Sequence, residues 1–329
     1  MVQRFLPPLA AFLFFGVLVL GSAPGAGAAE TPAYMALGDS LAFGVGAENP
    51  SVGGYVPLAA QTLRRSERYR ARGLEMINLS APGATSADLL LPGGQLDRAL
   101  AEIEARRDEP GNDDDVEIIS IDIGGNDLLA LASSDSPCLS DTASEPCRQL
   151  IIDMLGNLQR NLTQVLSDIR QEAPNARVYV VNLYNPYSGT GDPRELIANV
   201  AVQQVNGVLS AVASDPDLEA HLVSVYDLFL GRGSQWVAND GIHPNNDGHR
   251  VIAEVLLASV EGRAVALPED LAAVPTEAPA DGGQLPAPRD DSDDGDVFVL
   301  AVAVAIAFIA GALLTATYFF ARGRPHHGA

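Results

Sequence analysis

Residues 35–46 read MALGDSLAFGVG. An apolar run halts at Gly38, Asp39 and Ser40, and small or glycine positions follow. A buried strand that stops on a serine, with open space kept beyond it, suits two roles. The serine either caps a helix or serves as a nucleophile at the rim of a sheet. The residues on which the other strands end decide between them.

Five short runs dense in branched residues read as strands: 33–37, 75–79, 116–123, 177–184 and 221–228. Helical patterns lie between them. Residues 95–107 carry Leu96, Leu100 and Ile103 near helical spacing, and 148–174 repeat the pattern up to Pro174. Residues 195–213 and 249–260 add two more helices. Strands alternating with helices predict an α/β class, a parallel sheet covered on both faces. In such sheets the active crevice lies beyond the carboxyl ends of the strands. The first strand runs into Ser40, and the second into NLSAPGATS, with Gly83 past its end. The third runs into GGND (124–127), and the fifth is followed by NDGIHPN (239–245). Four polar or glycine clusters thus converge on one edge.

A serine hydroxyl needs a base within hydrogen-bond reach, and the base needs an orienting group. His221 opens a strand and reads as structural. His249 stands on a helix beside Arg250 and reads as a solvated-face residue. His243 lies in a loop, with Asp240 three residues before it and Pro244 after it. Asp240 can accept from one imidazole nitrogen while the other faces Ser40. Alone, an Asp-x-x-His spacing is weak; beside the other clusters it becomes strong. An acyl-transfer intermediate also needs preorganised donors for its oxyanion. The backbone N–H groups of Ser40 and Gly83 and the side-chain amide of Asn126 are the candidates. The bland alternative for Asn126 is turn material, since Gly-Asn-Asp favours turns.

The blocks GDSLAFG, APGATS, GGND and DGIHPN, in this order, resemble the four signature blocks of the SGNH/GDSL hydrolase superfamily. The resemblance covers nearly all of residues 33–260. It implies a flavodoxin-like three-layer α/β/α sandwich with a five-stranded parallel sheet in the order 2-1-3-4-5. It implies Ser40 as nucleophile, His243 as base oriented by Asp240, and Ser40, Gly83 and Asn126 as the oxyanion hole. It further implies hydrolysis of carboxylic esters, at times lipids, thioesters or acetylated sugars, with no metal or organic cofactor. The rival is a catalytically silent surface module that binds glycans or lipids. The completeness of Ser40, Asn126, Asp240 and His243 favours an enzyme.

The two ends of the chain carry addresses. Residues 1–29 combine Arg4, an apolar core at 12–20 and small residues around Ala26 and Ala28, the pattern of a cleavable signal peptide. Residues 297–320 are uncharged and, as a helix, roughly 36 Å long, enough for a bilayer core of about 30 Å. Arg322 and Arg324 come next, a positive flank that puts the tail 321–329 in the cytoplasm and the rest outside. Residues 263–296 form an acidic Pro/Ala/Asp-rich linker, which composition predicts to be disordered. One hydrolase domain, 30–262, remains. The formal charge of −22 argues against a nucleic-acid partner. All 20 Lys/Arg positions are arginine, which excludes lysine Schiff-base chemistry. Cys138 and Cys147, in an exported chain, predict a disulfide.

Overall fold

The computed structural model describes residues 31–107 and 115–272. The signal segment, the linker beyond residue 272, the apolar segment 297–320 and the tail lie outside the described residues. Strands β1 (Ala33–Gly38), β2 (Glu75–Asn78), β3 (Val116–Asp122), β4 (Arg177–Val181) and β5 (Ala220–Val223) form one sheet. Every pairing is parallel, and the order is β2-β1-β3-β4-β5, the flavodoxin-like order. The central strands β1 and β3 are buried on both faces, so they read as near-continuous apolar runs.

Six helices do most of the packing: α1 (Ser40–Phe43), α2 (Tyr55–Arg65), α3 (Gln95–Arg107), α4 (Glu145–Glu172), α5 (Glu195–Ala213) and α6 (Asn246–Glu261). Helices α3, α4 and α5 close one face of the sheet, and α2 and α6 the other. Helix α5 is the one described helix long and apolar enough to cross a membrane, with a hydropathy of 1.4. It is a core helix here: Val202, Val205, Leu209 and Val212 are buried on the sheet.

Two strands end three or more residues earlier than their apolar runs suggest. The run 177–184 leaves the sheet after Val181, because the Asn206 side chain on α5 takes both the N–H and the carbonyl of Leu183. The run 221–228 stops at Val223. There Asn182 Oδ1 accepts from the N–H groups of Val225 and Tyr226, and a helical turn, Tyr226–Phe229, begins.

Helix α4 overshoots the sheet. Its deep core residues begin at Leu158, so roughly its first 20 Å, at about 1.5 Å per residue, stand beyond the carboxyl edge. The Cys138–Cys147 disulfide ties the preceding loop to that projection. The first linker residues are ordered, unlike the linker reading of 263–296. After α6 the chain reverses along it: Arg263 and the Ala266 N–H bond Glu254, Asp270 bonds Arg250, and the Ala272 carbonyl accepts from Arg232. Leu267 and Leu271 supply the apolar anchors that the acidic composition hides.

Candidate active site

Ser40 opens α1 directly after β1, at the carboxyl edge. Its neighbour Asp39 caps that helix, Oδ1 accepting from the Leu41 N–H at 2.9 Å. His243 comes from a loop closed on itself. The Ala238 N–H donates to the His243 carbonyl, and the Asn245 N–H to the Trp236 carbonyl. The Asn245 side chain then caps α6, and the Tyr184 hydroxyl donates to the Ile242 carbonyl at 2.6 Å. Gly46 answers why small residues come after Ser40. A Cβ there would lie 2.2 Å from the Pro244 carbonyl oxygen and 2.9 Å from His243 Cβ, at a φ of +93°. Only glycine lets the Ser40 loop and the His243 loop approach so closely.

The result is one hydrogen-bonded relay. His243 Nε2 stands 2.8 Å from Ser40 Oγ, and Nδ1 stands 2.7 Å from Asp240 Oδ2. Asp240 Oδ1 accepts from the N–H groups of Ile242 and His243, both at 3.0 Å. Partial burial pushes the Asp240 carboxyl up, but those two N–H groups and the imidazole outweigh it and hold it below the usual carboxylate range. An ionised Asp240 obliges Nδ1 to carry the proton. Nε2 is therefore the bare acceptor that faces the serine O–H.

The expected oxyanion donors gather beside the relay. The Asn126 Nδ2 group donates to the Ala84 carbonyl at 2.9 Å and to Asp39 Oδ2 at 3.2 Å. Gly83, next to Ala84, faces open space where its Cβ would be. Its turn is tied to β1, with the Ala81 N–H donating to the Gly38 carbonyl. Asp127 accepts from the N–H and the hydroxyl of Ser86, and that hydroxyl also accepts from Asn161 Nδ2.

Residues without a signature hold the turn that carries Ser40. Gln95, buried at the start of α3, accepts from the Gly38 N–H and donates to the Gly38 carbonyl, each at 2.8 Å. Beneath Gly38 lies its β3 register partner, Asp122, whose Oδ1 is 1.8 Å from where a Gly38 Cβ would stand. Burial first, then the charge of Asp39, drives the Asp122 carboxyl well above its ordinary range, favouring the neutral acid. Neither Asp122 oxygen nor the Tyr55 hydroxyl has a hydrogen-bond partner among the described residues. Burial lifts Asp39 to about 6, opposed by the Leu41 N–H and by His243.

His249 departs from the solvated-face reading. It is fully buried; Nδ1 accepts from the Tyr55 N–H and Nε2 donates to the Val45 carbonyl, which fixes a neutral tautomer. Desolvation lowers it to about 4. His221 lies on edge strand β5, its ring against Tyr179, away from Ser40. An open depression of about 460 Å³ lies beside it at the amino edge, far from the relay. Among the described residues, no three His, Cys, Asp or Glu side chains gather as metal ligands would.

The surrounding chain matches known proteins over the same span. A spore germination lipase, LipC, from Bacillus licheniformis is 27% identical over 235 residues, covering 70% of this chain and 97% of the relative. The Bacillus subtilis protein YpmR, uncharacterized, is 24% identical and covers 69% of this chain and 80% of its own. A solved lipase from a goat rumen metagenome, Lip_vut3, shares the fold at a TM-score of 0.53 and 24% identity, over 70% of this chain and 97% of that one. The GDSL-like Lipase/Acylhydrolase family matches residues 36–251, from the end of β1 to the first turns of α6. The chain is a carboxylic ester hydrolase and belongs to that family.

Proposed function

We propose that the chain is an exported, membrane-tethered hydrolase that works through an acyl-enzyme on Ser40. The observation that carries this reading is the unbroken line Ser40 Oγ, His243 Nε2, His243 Nδ1, Asp240 Oδ2, with contacts of 2.8 and 2.7 Å. Ser40 Oγ attacks the ester carbonyl and its proton passes to His243 Nε2. Asp240 stabilises the imidazolium, and Asp39 attracts it through the field that already couples the two groups. The N–H groups of Ser40 and Gly83 and the Asn126 amide receive the oxyanion. Asn126 gives up its longer bond, that to Asp39, to do so. The alcohol leaves with the proton from His243, and a water activated by the same imidazole then hydrolyses the acyl-serine.

The relative's description as a lipase supports lipid esters as the substrate class. Export and tethering rest on the sequence of residues 1–29 and 297–320. The test is a fluorophosphonate probe with p-nitrophenyl ester turnover, on the parent chain and on Ser40→Ala. Labelling and turnover are expected in the parent alone. Turnover that survives Ser40→Ala rejects the assignment, and a folded parent chain that neither labels nor turns over leaves only a binding module.

A further inference from the structure

The described exposed large apolar side chains are unevenly placed. Beyond its carboxyl end, each strand leads to at least one: Phe43 after β1, Leu91 after β2, Leu129 after β3, Ile197 after β4 and Leu230 after β5. Their exposure runs from 44% at Leu230 to 58% at Ile197, and only Val265, at 41%, lies toward the amino edge. The carboxyl edge is the one that carries Ser40. Exposed apolar side chains scattered singly need no explanation, whereas their collection on one edge points to an interaction surface.

The exit of the chain points the same way. The strap 263–272 runs back along α6 and delivers Ala272 to Arg232, three residues from Gln235. The Gln235 carbonyl accepts from the side chain of Asn245, two residues past His243. The polypeptide therefore leaves the domain beside the catalytic mouth. Between Ala272 and the apolar segment 297–320 lie 24 residues; a flexible chain of that length would span roughly 27 Å at about 5–6 Å times the square root of length. An exit at the amino edge would have placed the mouth on the far side of the domain.

We infer that the carboxyl-edge rim is a docking surface for the phospholipid bilayer that holds the chain's own C-terminal segment, with the active-site mouth turned toward that membrane. The inference rests on the tethered-hydrolase reading and deepens it: the ester is presented from a lipid surface. Charge selects the lipid. With a formal charge of −22 over the whole chain, and Glu48 and Asp141 exposed on this edge, anionic headgroups repel the domain. A zwitterionic surface suits it.

The test uses the full chain in phosphatidylcholine vesicles. A fluorophore is attached at Ile197→Cys or, as the opposite-edge control, at Val265→Cys, and is quenched by a headgroup-nitroxide lipid. Quenching at 197 should exceed that at 265 at least five-fold, and exchanging half the phosphatidylcholine for phosphatidylglycerol should weaken it at low salt. Equal quenching, or stronger quenching at 265, overturns the inference. In a second arm, Ile197→Asp with Leu91→Asp should lower hydrolysis of an ester lipid in the vesicles at least five-fold, relative to p-nitrophenyl acetate turnover by the same sample. An unchanged ratio also overturns it. Normal p-nitrophenyl acetate turnover with the wrong quenching pattern defeats the orientation alone. Correct quenching without any ester turnover defeats the hydrolase reading and leaves the orientation standing. A chain that fails to float with the vesicles defeats the tether, and the docking surface with it.

Discussion

Asp39→Asn is the most informative single change, because Asp39 is buried, titratable and adjacent to Ser40. Its carboxyl rises from 3.8 to about 6 on folding, chiefly through burial. The folded state thus holds this proton more tightly than the unfolded chain does. That contribution to stability is fully present below about pH 4 and is lost as pH rises through 6. At about 1.4 kcal/mol for each factor of ten, the loss amounts to roughly 3 kcal/mol. Asparagine has no such titration. Its carbonyl still caps Leu41, but its amide faces the Asn126 amide and forfeits one hydrogen bond, about 1 kcal/mol at every pH. The variant's Tm relative to the parent should therefore climb between pH 4 and 6.5 by roughly 6–12 °C, at about 2–4 °C per kcal/mol. His249 masks this slope in the parent. Lowered from 6.5 to about 4, it opposes protonation, and roughly 3 kcal/mol is lost as pH falls through that window. The two slopes have opposite sign, and comparison with the parent at each pH separates them from the other buried acid, Asp122. Relative to the parent, the Tm of Asp39→Asn should fall toward acid and that of His249→Asn should rise toward acid. The assay is scanning calorimetry in buffers of constant ionic strength. A Tm difference between Asp39→Asn and the parent that does not vary with pH would refute the reasoning. The variant should also lose kcat, since the attraction between Asp39 and the His243 imidazolium goes with it.

Three further changes test the groups around Ser40. Gly38→Ala should abolish folding or cost more than about 4 kcal/mol in urea titration, because its Cβ would fall 1.8 Å from Asp122 Oδ1 at a φ of +142°. Gln95→Ala orphans the buried Gly38 N–H and should cost about 1–3 kcal/mol, lowering kcat more than it raises KM, with Gln95→Glu recovering part of the loss through the retained acceptor. Asn126→Ala should reduce kcat with little change in KM, equivalent to about 2.7–4 kcal/mol of transition-state stabilisation; a loss confined to KM would remove Asn126 from the oxyanion hole.

How far the site is legible in the sequence depends on what kind of information each residue carries. The sheet is readable because two buried strands repeat apolar branched residues, and because the glycine and polar clusters at the strand ends differ in kind from the strands themselves. The relay residues are readable because serine, imidazole and carboxylate have few reasons to meet at one edge. The strand ends are not, since Asn182 and Asn206 stop β5 and β4 by bonds from distant elements. The supporting polar groups are the instructive case, because their burial is written in their spacing. In α6, His249 shares a face with Ile252, Ala253 and Leu256, at spacings of three, four and seven, and all four are buried. In α3, Gln95 stands one turn before Ala99 and two before Ile103 on the buried stripe. In β3, Asp122 alternates in register with Ile118 and Ser120. Periodicity alone therefore marks each as a polar group inside the core, where an unmet bond is costly. What periodicity omits is the partner: the Gly38 backbone for Gln95, Tyr55 and Val45 for His249, and the space under Gly38 for Asp122. All three converge on the short stretch that begins at Gly38 and ends at Gly46. A polar residue on an apolar stripe thus asks what it serves: Gln95 and His249 bond the backbone of the turn that carries Ser40, and Asp122 lies beneath that turn.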